Sequence, residues 1–259
     1  MVINYKETSV FYTDYGKGET LVLLHGFLEH GGMWEAFIPE LTKTHRVICI
    51  DLLGHGQTGC LGYVHTMELM AETVHAVLNH LKIFKTYLVG HSMGGYVSLA
   101  FAEKWPEMLS GLCLMNSTSE QDSIERKQNR DRAIEAVKKN HELFIRMAIA
   151  NLFRLKNRTI YAEQIQKTVI EALKTPLQGI IAALEGMKIR ADRQGVLKNS
   201  SFKTLIIAGK KDPVLLYKSI ARQAERTNTP IVSFPDGHMS HIENSTEFLI
   251  EIMHFIEKK

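Results

Sequence analysis

Ser92 is the residue best placed for nucleophilic chemistry, at the centre of a Gly-His-Ser-Met-Gly stretch at residues 90–94. An apolar run, Tyr87–Val89, precedes this stretch and predicts a buried strand, and a run that favours a helix follows it. A serine on such a strand–helix turn has its hydroxyl pushed out above the edge of the sheet. The flanking glycines leave space for the turn, and the start of the helix directs free N–H groups towards the site. The alternative is a serine without a catalytic role in a glycine-rich turn. The apolar strand before the turn and the helix after it favour the catalytic interpretation.

A serine becomes a nucleophile when a base takes its proton and a third group orients that base. His238 is the candidate base, because it follows the last predicted strand and the preceding Gly237 allows a close approach to Ser92. The chain has twelve histidines, so an idle loop histidine is the alternative, and the position after a strand favours the catalytic interpretation. His241, three residues later, is interpreted as structural.

Four side chains that follow or adjoin predicted strands are candidates for the third group: Asp51, Asn116, Asp212 and Asp236. Asp51 is suited to hydrogen bonding within its own loop, and Asn116 has no charge with which to stabilise an imidazolium. Asp236 lies too near the candidate base in a tight loop to face its ring. Asp212 remains, and it gives the chain order serine, aspartate, histidine.

The oxyanion of an acyl-transfer intermediate needs two preorganised N–H donors. The amide of Met93, directly after the candidate nucleophile, is one candidate. The amide of Phe27 is the other, in the loop that follows the apolar run Leu21–Leu24, where Gly26 permits the backbone to turn inward. The side chain of His25 is predicted to satisfy carbonyl groups of the same loop.

Eight apolar or alternating runs predict strands that position these residues, and most of the runs are followed by stretches of helical periodicity. The runs lie at residues 2–5, 10–15, 21–24, 47–50, 87–89, 109–115, 203–209 and 230–234. Repeated strand–helix units predict an α/β fold with a mostly parallel eight-stranded sheet flanked by helices. Ligands of such sheets bind at the carboxyl ends of the strands, where the polar candidates are expected.

The pattern changes between residues 117 and 200, where helical periodicity continues without a strand candidate. Helices are predicted at Ser123–Lys139, Glu142–Phe153, Ile160–Leu173 and Pro176–Arg190. This block has sixteen lysines and arginines against ten acidic residues, a net charge of +6. The sequence therefore predicts a helical cap at 117–200 inserted into a core formed by 1–116 and 201–259.

The cap is expected to cover the strand ends and to line a substrate pocket. The candidates for the pocket face are eight apolar residues: Met147, Ile149, Leu152, Phe153, Ile180, Ile181, Leu184 and Met187. Of these, Met147, Phe153, Leu184 and Met187 are the candidate substrate-binding residues, and methionine suits an adaptable pocket. Packing within the cap is the alternative for each of them. The basic surplus of the cap is interpreted either as a solvated face or as an attraction for acidic substrates.

Composition and charge exclude several classes of function. The net charge is only +3 and no basic run occurs, so nucleic acid is not an expected partner. No apolar run is long enough for a membrane span of about 18 residues or more, and the N-terminus lacks a signal-peptide pattern. Three cysteines, two of them in apolar runs, predict no disulfide and a reducing, cytoplasmic location. No metal or cofactor is expected, and monomer and homodimer both remain open.

Four motifs together resemble the α/β-hydrolase fold superfamily over nearly the whole chain. They are Leu24–Phe27, Asp51–Gly56, Gly90–Gly95 and Gly237–Glu243. The chain is similar to small serine esterases and cofactor-free haloperoxidase-like enzymes with a cap inserted after the strand that ends at Asn116. It departs from them at Leu53, where relatives commonly have an arginine. The family also contains haloalkane dehalogenases, whose nucleophile is an aspartate, and the serine at position 92 argues against that activity.

The resemblance and the candidate residues predict a serine hydrolase that cleaves carboxylic esters of short-to-medium acyl chain through an acyl-enzyme. The expected partner is a small-molecule ester. Hydrolysis of a carbon–carbon bond in a vinylogous diketone, lactonase activity and thioesterase activity would use the same three residues and remain alternatives. A binding protein or receptor that retains the triad is an alternative of another class.

Overall fold

Eight strands form one sheet in the computed structural model, which describes residues 1–257. In chain order the strands are β1 (Val2–Tyr5), β2 (Thr8–Gly16), β3 (Glu19–Leu24), β4 (His45–Ile50), β5 (Thr86–His91), β6 (Leu109–Met115), β7 (Lys203–Gly209) and β8 (Ile231–Phe234). Their order across the sheet is β1-β2-β4-β3-β5-β6-β7-β8. The β1–β2 and β2–β4 pairs are antiparallel, and all the other pairs are parallel. The predicted α/β fold with a mostly parallel eight-stranded sheet is confirmed.

Eleven α-helices occupy the described residues and lie between or after the strands. They are α1 (Ile38–Leu41), α2 (Met67–His80), α3 (Met93–Lys104), α4 (Ile124–Lys139), α5 (His141–Ala150), α6 (Ala162–Ala172), α7 (Leu177–Lys188), α8 (Gln194–Lys198), α9 (Tyr217–Thr227), α10 (Ser240–Glu243) and α11 (Ser245–Glu257). Short 3₁₀ helices occur at Gly31–Phe37, Pro106–Met108 and Leu155–Asn157. Within residues 1–257, every helix is too short or too polar to cross a bilayer.

The continuous apolar runs arise because both faces of the sheet are covered. Successive side chains of a strand point to opposite faces. In β3, Leu21 and Leu23 therefore belong to a core cluster with Trp34, whereas Val22 and Leu24 belong to a second cluster on the other face. This packing fixes the direction in which β3 and β5 deliver the loops that follow them.

The described chain between β6 and β7 contains helices α4 to α8 and no strand. A buried carboxylate, Asp122, lies just before α4 and accepts a hydrogen bond from Arg190, just after α7. Arg193 extends from this helical insert to Glu68 of α2 and Glu103 of α3. These ion pairs tie the insert to the helices that flank the sheet.

The sequence from Met33 to Leu41 has a helical pattern, but this stretch is split in the structure. Gly31–Phe37 forms a 3₁₀ helix, and only Ile38–Leu41 is α-helical. The side chain of His30 caps the start of the 3₁₀ helix by accepting a hydrogen bond from the amide of Gly32. The tight turn therefore begins before Met33, the first residue of the helical pattern. The 3₁₀ segment buries Trp34 and Phe37 against the sheet, as a regular helix would.

Candidate active site

Ser92 lies on the sharp turn between the end of β5 and the start of α3, with φ +49° and ψ −112°. This conformation is strained for a residue with a side chain. The neighbouring glycines make it possible. A Cβ on Gly90 would collide with the backbone of Gly94, and one on Gly94 would lie 2.6 Å from the carbonyl oxygens of Leu24 and His25 on the adjacent strand and loop. The turn therefore requires glycine at both positions.

His238 and Asp212 are hydrogen-bonded across the end of the sheet. Nδ1 of His238 lies 2.7 Å from Oδ2 of Asp212, and both side chains are buried. Asp212 accepts further hydrogen bonds from the amides of Val214 and Leu215 and from Asn116. Burial by itself would raise the pKa of Asp212, but His238 and these donors hold that pKa below its ordinary value. The ionised carboxylate keeps a proton on Nδ1 of His238 and leaves Nε2 with a free lone pair.

Nε2 of His238 has no hydrogen-bond partner among the described residues. His238 lines a cavity of about 90 Å³ whose other lining residues include Ser92 and Phe27. The structure thus brings the candidate base and the candidate nucleophile to one small cavity.

The three other acid candidates have different partners. Asp51 accepts hydrogen bonds from the amides of Gly31 and Gln57, at 2.7 and 2.8 Å, and ties its own loop. Asp236 pairs with Arg154 at 2.8 Å. Asn116 donates to the carboxylate of Asp212 rather than facing the base.

The candidate oxyanion donors belong to two segments, the start of α3 and the loop after β3. Met93 is the first residue of α3, and the side chain of Ser92 does not cap that helix end. Phe27 belongs to the loop after β3 and lines the cavity. His25 is buried beneath this loop, with Nδ1 2.7 Å from the carbonyl of Gly26 and Nε2 accepting from the amide of Leu52. These hydrogen bonds tie the loop after β3 to the loop that follows β4.

A buried ion pair, which the sequence analysis missed, connects the three loops of the site. Oε2 of Glu29 lies 2.7 Å from Nδ1 of His91 and also accepts from the amide of Gly26. Nε2 of His91 lies 3.0 Å from the carbonyl oxygen of His238. Both ring nitrogens of His91 thus face acceptors, so the ring is an imidazolium. Burial alone would lower the pKa of His91, but Glu29 raises it above the usual value. No local sequence pattern indicates the Glu29–His91 pair, because 62 residues separate the two side chains in the chain.

Glu29 and His91, together with His241, are the described residues that come nearest to a metal-binding set, with ligand atoms within 4.8 Å of one another. Oε2 of Glu29 and both nitrogens of His91 are already used in hydrogen bonds. The geometry is that of a hydrogen-bonded ion pair with a neutral histidine beside it, and it suits positioning of the loops.

The cavity lining agrees in part with the sequence prediction, since the pocket-face candidates Ile149 and Leu152 line it. Of the four candidate residues, Met187 lines it, and Leu184 lines an adjoining hollow. Met147 is 57% exposed, and Phe153 is fully buried near the ring of Tyr161; neither is in the cavity wall, so their assignment is corrected. Helical periodicity explains the error for Met147. It lies on the opposite face of α5 from Ile149, which lines the cavity together with Ala148 and with Leu152, just after the helix.

Three fully buried histidines make the fold sensitive to acid. Burial lowers the pKa of His25 to about 4 and the pKa of both His55 and His241 to about 3. In the unfolded chain a histidine takes up its proton near pH 6.5. Between pH 6 and pH 5 the unfolded chain therefore binds up to three protons that the folded chain does not. Where all three histidines are protonated in the unfolded chain and neutral in the folded chain, the free energy of unfolding should fall by about 4 kcal/mol for each pH unit of acidification.

This acid sensitivity can be measured as the urea midpoint at several pH values between 7 and 5. His55→Gln should reduce the pH dependence by up to about one third, because the variant lacks one histidine that takes up its proton only when the chain unfolds. His141→Gln, at an exposed position, is the control and should leave the slope as it is. A midpoint that does not change with pH over this range would contradict the assignment of three buried neutral histidines.

Comparisons with known proteins agree with this architecture. A family model described as the alpha/beta hydrolase fold matches residues 19–245. The chain is 30% identical over 249 residues to the dihydrolipoyllysine-residue acetyltransferase component of the acetoin cleaving system of Pseudomonas putida, covering 94% of this chain and 65% of that protein. Against the 3-oxoadipate enol-lactonase 1 of Acinetobacter baylyi the identity is 28%, covering 84% of this chain and 81% of the lactonase.

Among solved structures, a thermophilic esterase from Thermogutta terrifontis superimposes with a TM-score of 0.90 and 33% identity, covering 96% of this chain and 93% of the esterase. The chain spans less than two thirds of the length of the first curated relatives that it matches.

Proposed function

The chain belongs to the alpha/beta hydrolase fold family, and from that premise we propose that it is a serine hydrolase that cleaves small carboxylic esters through an acyl-enzyme. The observation that carries the proposal is the 2.7 Å hydrogen bond between His238 and Asp212, which leaves Nε2 of the histidine free in the cavity that Ser92 lines. The similarity to an esterase at 33% identity supports the same reaction class.

In the proposed mechanism, Oγ of Ser92 attacks the acyl carbon while Nε2 of His238 takes the hydroxyl proton. The carbonyl electron pair moves to the oxygen, and the amides of Met93 and Phe27 stabilise the resulting oxyanion. When the tetrahedral intermediate collapses, the bond to the alkoxide breaks and His238 gives its proton to the leaving alcohol. Asp212 stabilises the imidazolium between these two proton transfers.

Deacylation repeats the sequence with water as the nucleophile. His238 takes a proton from the water, the hydroxide attacks the acyl carbon, and Ser92 leaves with the proton returned by the histidine. The products are a carboxylic acid and the free enzyme. The reaction needs no group beyond the side chains and amides named above.

The cavity at Ser92 favours the short end of the proposed acyl range. Its volume of about 90 Å³ is small for a buried ligand. The apolar side chains of Ile149 in α5, of Leu152 just after that helix and of Met187 in α7 contribute to its wall. A short alkyl group would fit such a wall, whereas a long acyl chain would require the insert to move.

A panel of 4-nitrophenyl esters from acetate to decanoate tests the proposal. We expect a burst of nitrophenol followed by steady turnover, with kcat/KM highest for the short acids and declining towards decanoate. A fluorophosphonate should modify Ser92, as mapped by peptide mass spectrometry. The proposal would be contradicted by a folded protein that neither hydrolyses any ester of the panel nor reacts with the fluorophosphonate at Ser92.

Lactone hydrolysis is the second candidate, because a lactone is a cyclic ester and an enol-lactonase matches 84% of the chain. The acyl and alcohol parts then remain joined after ring opening. Comparison of γ- and δ-lactones with open-chain esters of the same carbon number distinguishes the two, since a lactonase has the higher kcat/KM for the ring.

A further inference from the structure

Two arginines of α4, Arg126 and Arg130, lie in the wall of the cavity that contains Ser92. They are four residues apart, so they share one face of the helix. Their side chains are 33% and 16% exposed, which leaves both guanidinium groups partly open to the cavity and to solvent. A cavity meant only for an alkyl group has no need of two cations in its wall.

The same two arginines also line an adjoining hollow of about 270 Å³, together with Leu184 and Val214. The inner cavity and this outer hollow have three residues in common: Arg126, Arg130 and Val214. The arginines therefore stand where the two spaces meet. A substrate whose acyl carbon is at Ser92 and whose other end extends outward would pass them.

The carboxylate beside these arginines does not balance their charge. Asp122 lies 3.4 Å from Nε of Arg126, 2.9 Å from Nε of Arg130 and 2.5 Å from Arg190. Within residues 1–257, Arg126 and Arg130 form ion pairs with no other acidic group. One negative charge thus faces three positive charges, and the surplus lies at the cavity.

The other acidic groups near the cavity do not cancel this surplus. Glu29 is paired with the His91 imidazolium, so that pair is neutral as a whole. Asp212 is negative, but its side chain is only 3% exposed and its oxygens are occupied by hydrogen bonds. The electrostatic character of the outer part of the cavity is positive.

The donors of Arg130 point to the kind of group that would bind. Arg130 uses Nε for Asp122, and its two terminal nitrogens have no hydrogen bond within the described residues. Besides its ion pair with Asp122, Arg126 donates one long hydrogen bond, 3.4 Å from Nη1 to the carbonyl of Val214. Guanidinium N–H groups that have no strong partner within the protein can donate two parallel hydrogen bonds to the two oxygens of a carboxylate.

We propose that the natural substrate is an ester with a carboxylate group, held by Arg130 and Arg126 while the acyl carbon is at Ser92. This inference rests on the proposed ester hydrolysis and specifies its substrate class. The arginines act in binding and orientation, and the bond cleavage remains with the triad.

Matched substrates test the inference on both sides of the ester bond. On the acyl side, the 4-nitrophenyl monoester of adipic acid is compared with 4-nitrophenyl hexanoate, which has the same chain length without the charge. On the alcohol side, 3-carboxy-4-nitrophenyl butyrate is compared with 4-nitrophenyl butyrate. The quantity measured is the ratio of kcat/KM for the anionic ester to kcat/KM for its neutral partner.

In at least one of the two pairs, Arg130→Gln and Arg126→Gln should each lower this ratio by about tenfold, as expected for the loss of a charge-assisted hydrogen bond. Arg130→Lys, which keeps the charge, should restore part of the ratio. Raising the salt concentration from about 0.05 to 0.5 M should lower the ratio of the wild-type protein, because these charges are partly exposed.

Arg132→Gln is the matched control, since it removes the same charge from the same helix at an exposed position that contacts only Asn129. It should leave the ratio unchanged. If the neutral esters are hydrolysed but neither Arg130→Gln nor Arg126→Gln changes the ratio in either pair, the carboxylate inference is wrong and the proposed ester hydrolysis stands. If no ester is hydrolysed and Ser92 is not labelled, the proposed function itself fails.

Discussion

Ser92→Ala should reduce the turnover of 4-nitrophenyl butyrate by roughly a million-fold, the effect of removing the nucleophile from a serine triad. The other groups of the site remain in this variant. The amides of Met93 and Phe27 and the His238–Asp212 pair are still present, so a small residual rate above that of water is expected. The measurement is steady-state hydrolysis at enzyme concentrations high enough to detect that residual rate.

The loss of activity should occur without a loss of stability. The side chain of Ser92 does not cap α3, and alanine is no larger than serine at the strained turn. The free energy of unfolding should therefore change by no more than about 0.5 kcal/mol. Ser219→Ala, at an exposed position of α9, is the control and should retain full activity. A folded Ser92→Ala protein with a tenth of the wild-type rate would refute the assignment of the nucleophile.

The nucleophile turn and the sheet could be predicted because their signals are local. Buried strands require apolar runs, as at Leu21–Leu24, and the turn at Ser92 requires glycines at fixed distances because of clashes that any side chain would cause. The choice of Asp212 as the partner of His238 came from elimination of the other acids and from the chain order serine, aspartate, histidine. The strand order explains why the two side chains meet. Side chains at the carboxyl ends of neighbouring parallel strands must come together, and β7 and β8 are neighbours.

The cavity lining could not be predicted in the same way. Periodicity identifies the apolar residues of α5, but not which of them face Ser92, since that depends on how the insert is rotated over the sheet. The pattern therefore gives Met147, which is exposed, the same standing as Ile149 and Leu152, which do line the cavity. Arg126 and Arg130 belong to a polar helix whose charges are typical of a solvated face in the sequence alone. Only the packed structure shows that they reach the cavity.

Asp212→Asn should lower turnover by about ten-thousand-fold and leave the fold intact. In the wild-type protein the carboxylate of Asp212 accepts a hydrogen bond from the protonated Nδ1 of His238. The other ring nitrogen, Nε2, is then unprotonated and can take the proton of Ser92. An amide that directs its N–H towards Nδ1 favours the opposite tautomer, with the proton on Nε2. The base then cannot take the serine proton, and the imidazolium of the transition state loses its negative partner. The measurement is kcat for 4-nitrophenyl butyrate across the pH range, with stability determined in parallel.

The same substitution at the other two aspartates separates the catalytic role from a structural one. Asp51→Asn disturbs a loop in which the carboxylate accepts two backbone amides, and Asp236→Asn removes an ion pair with Arg154. Both changes should affect the free energy of unfolding more than they affect kcat, because neither carboxylate is hydrogen-bonded to His238 in the structure. If Asp236→Asn or Asp51→Asn abolished turnover and Asp212→Asn retained it, the hydrogen bond at 2.7 Å would be incidental. The acid that orients His238 would then have to approach from another loop.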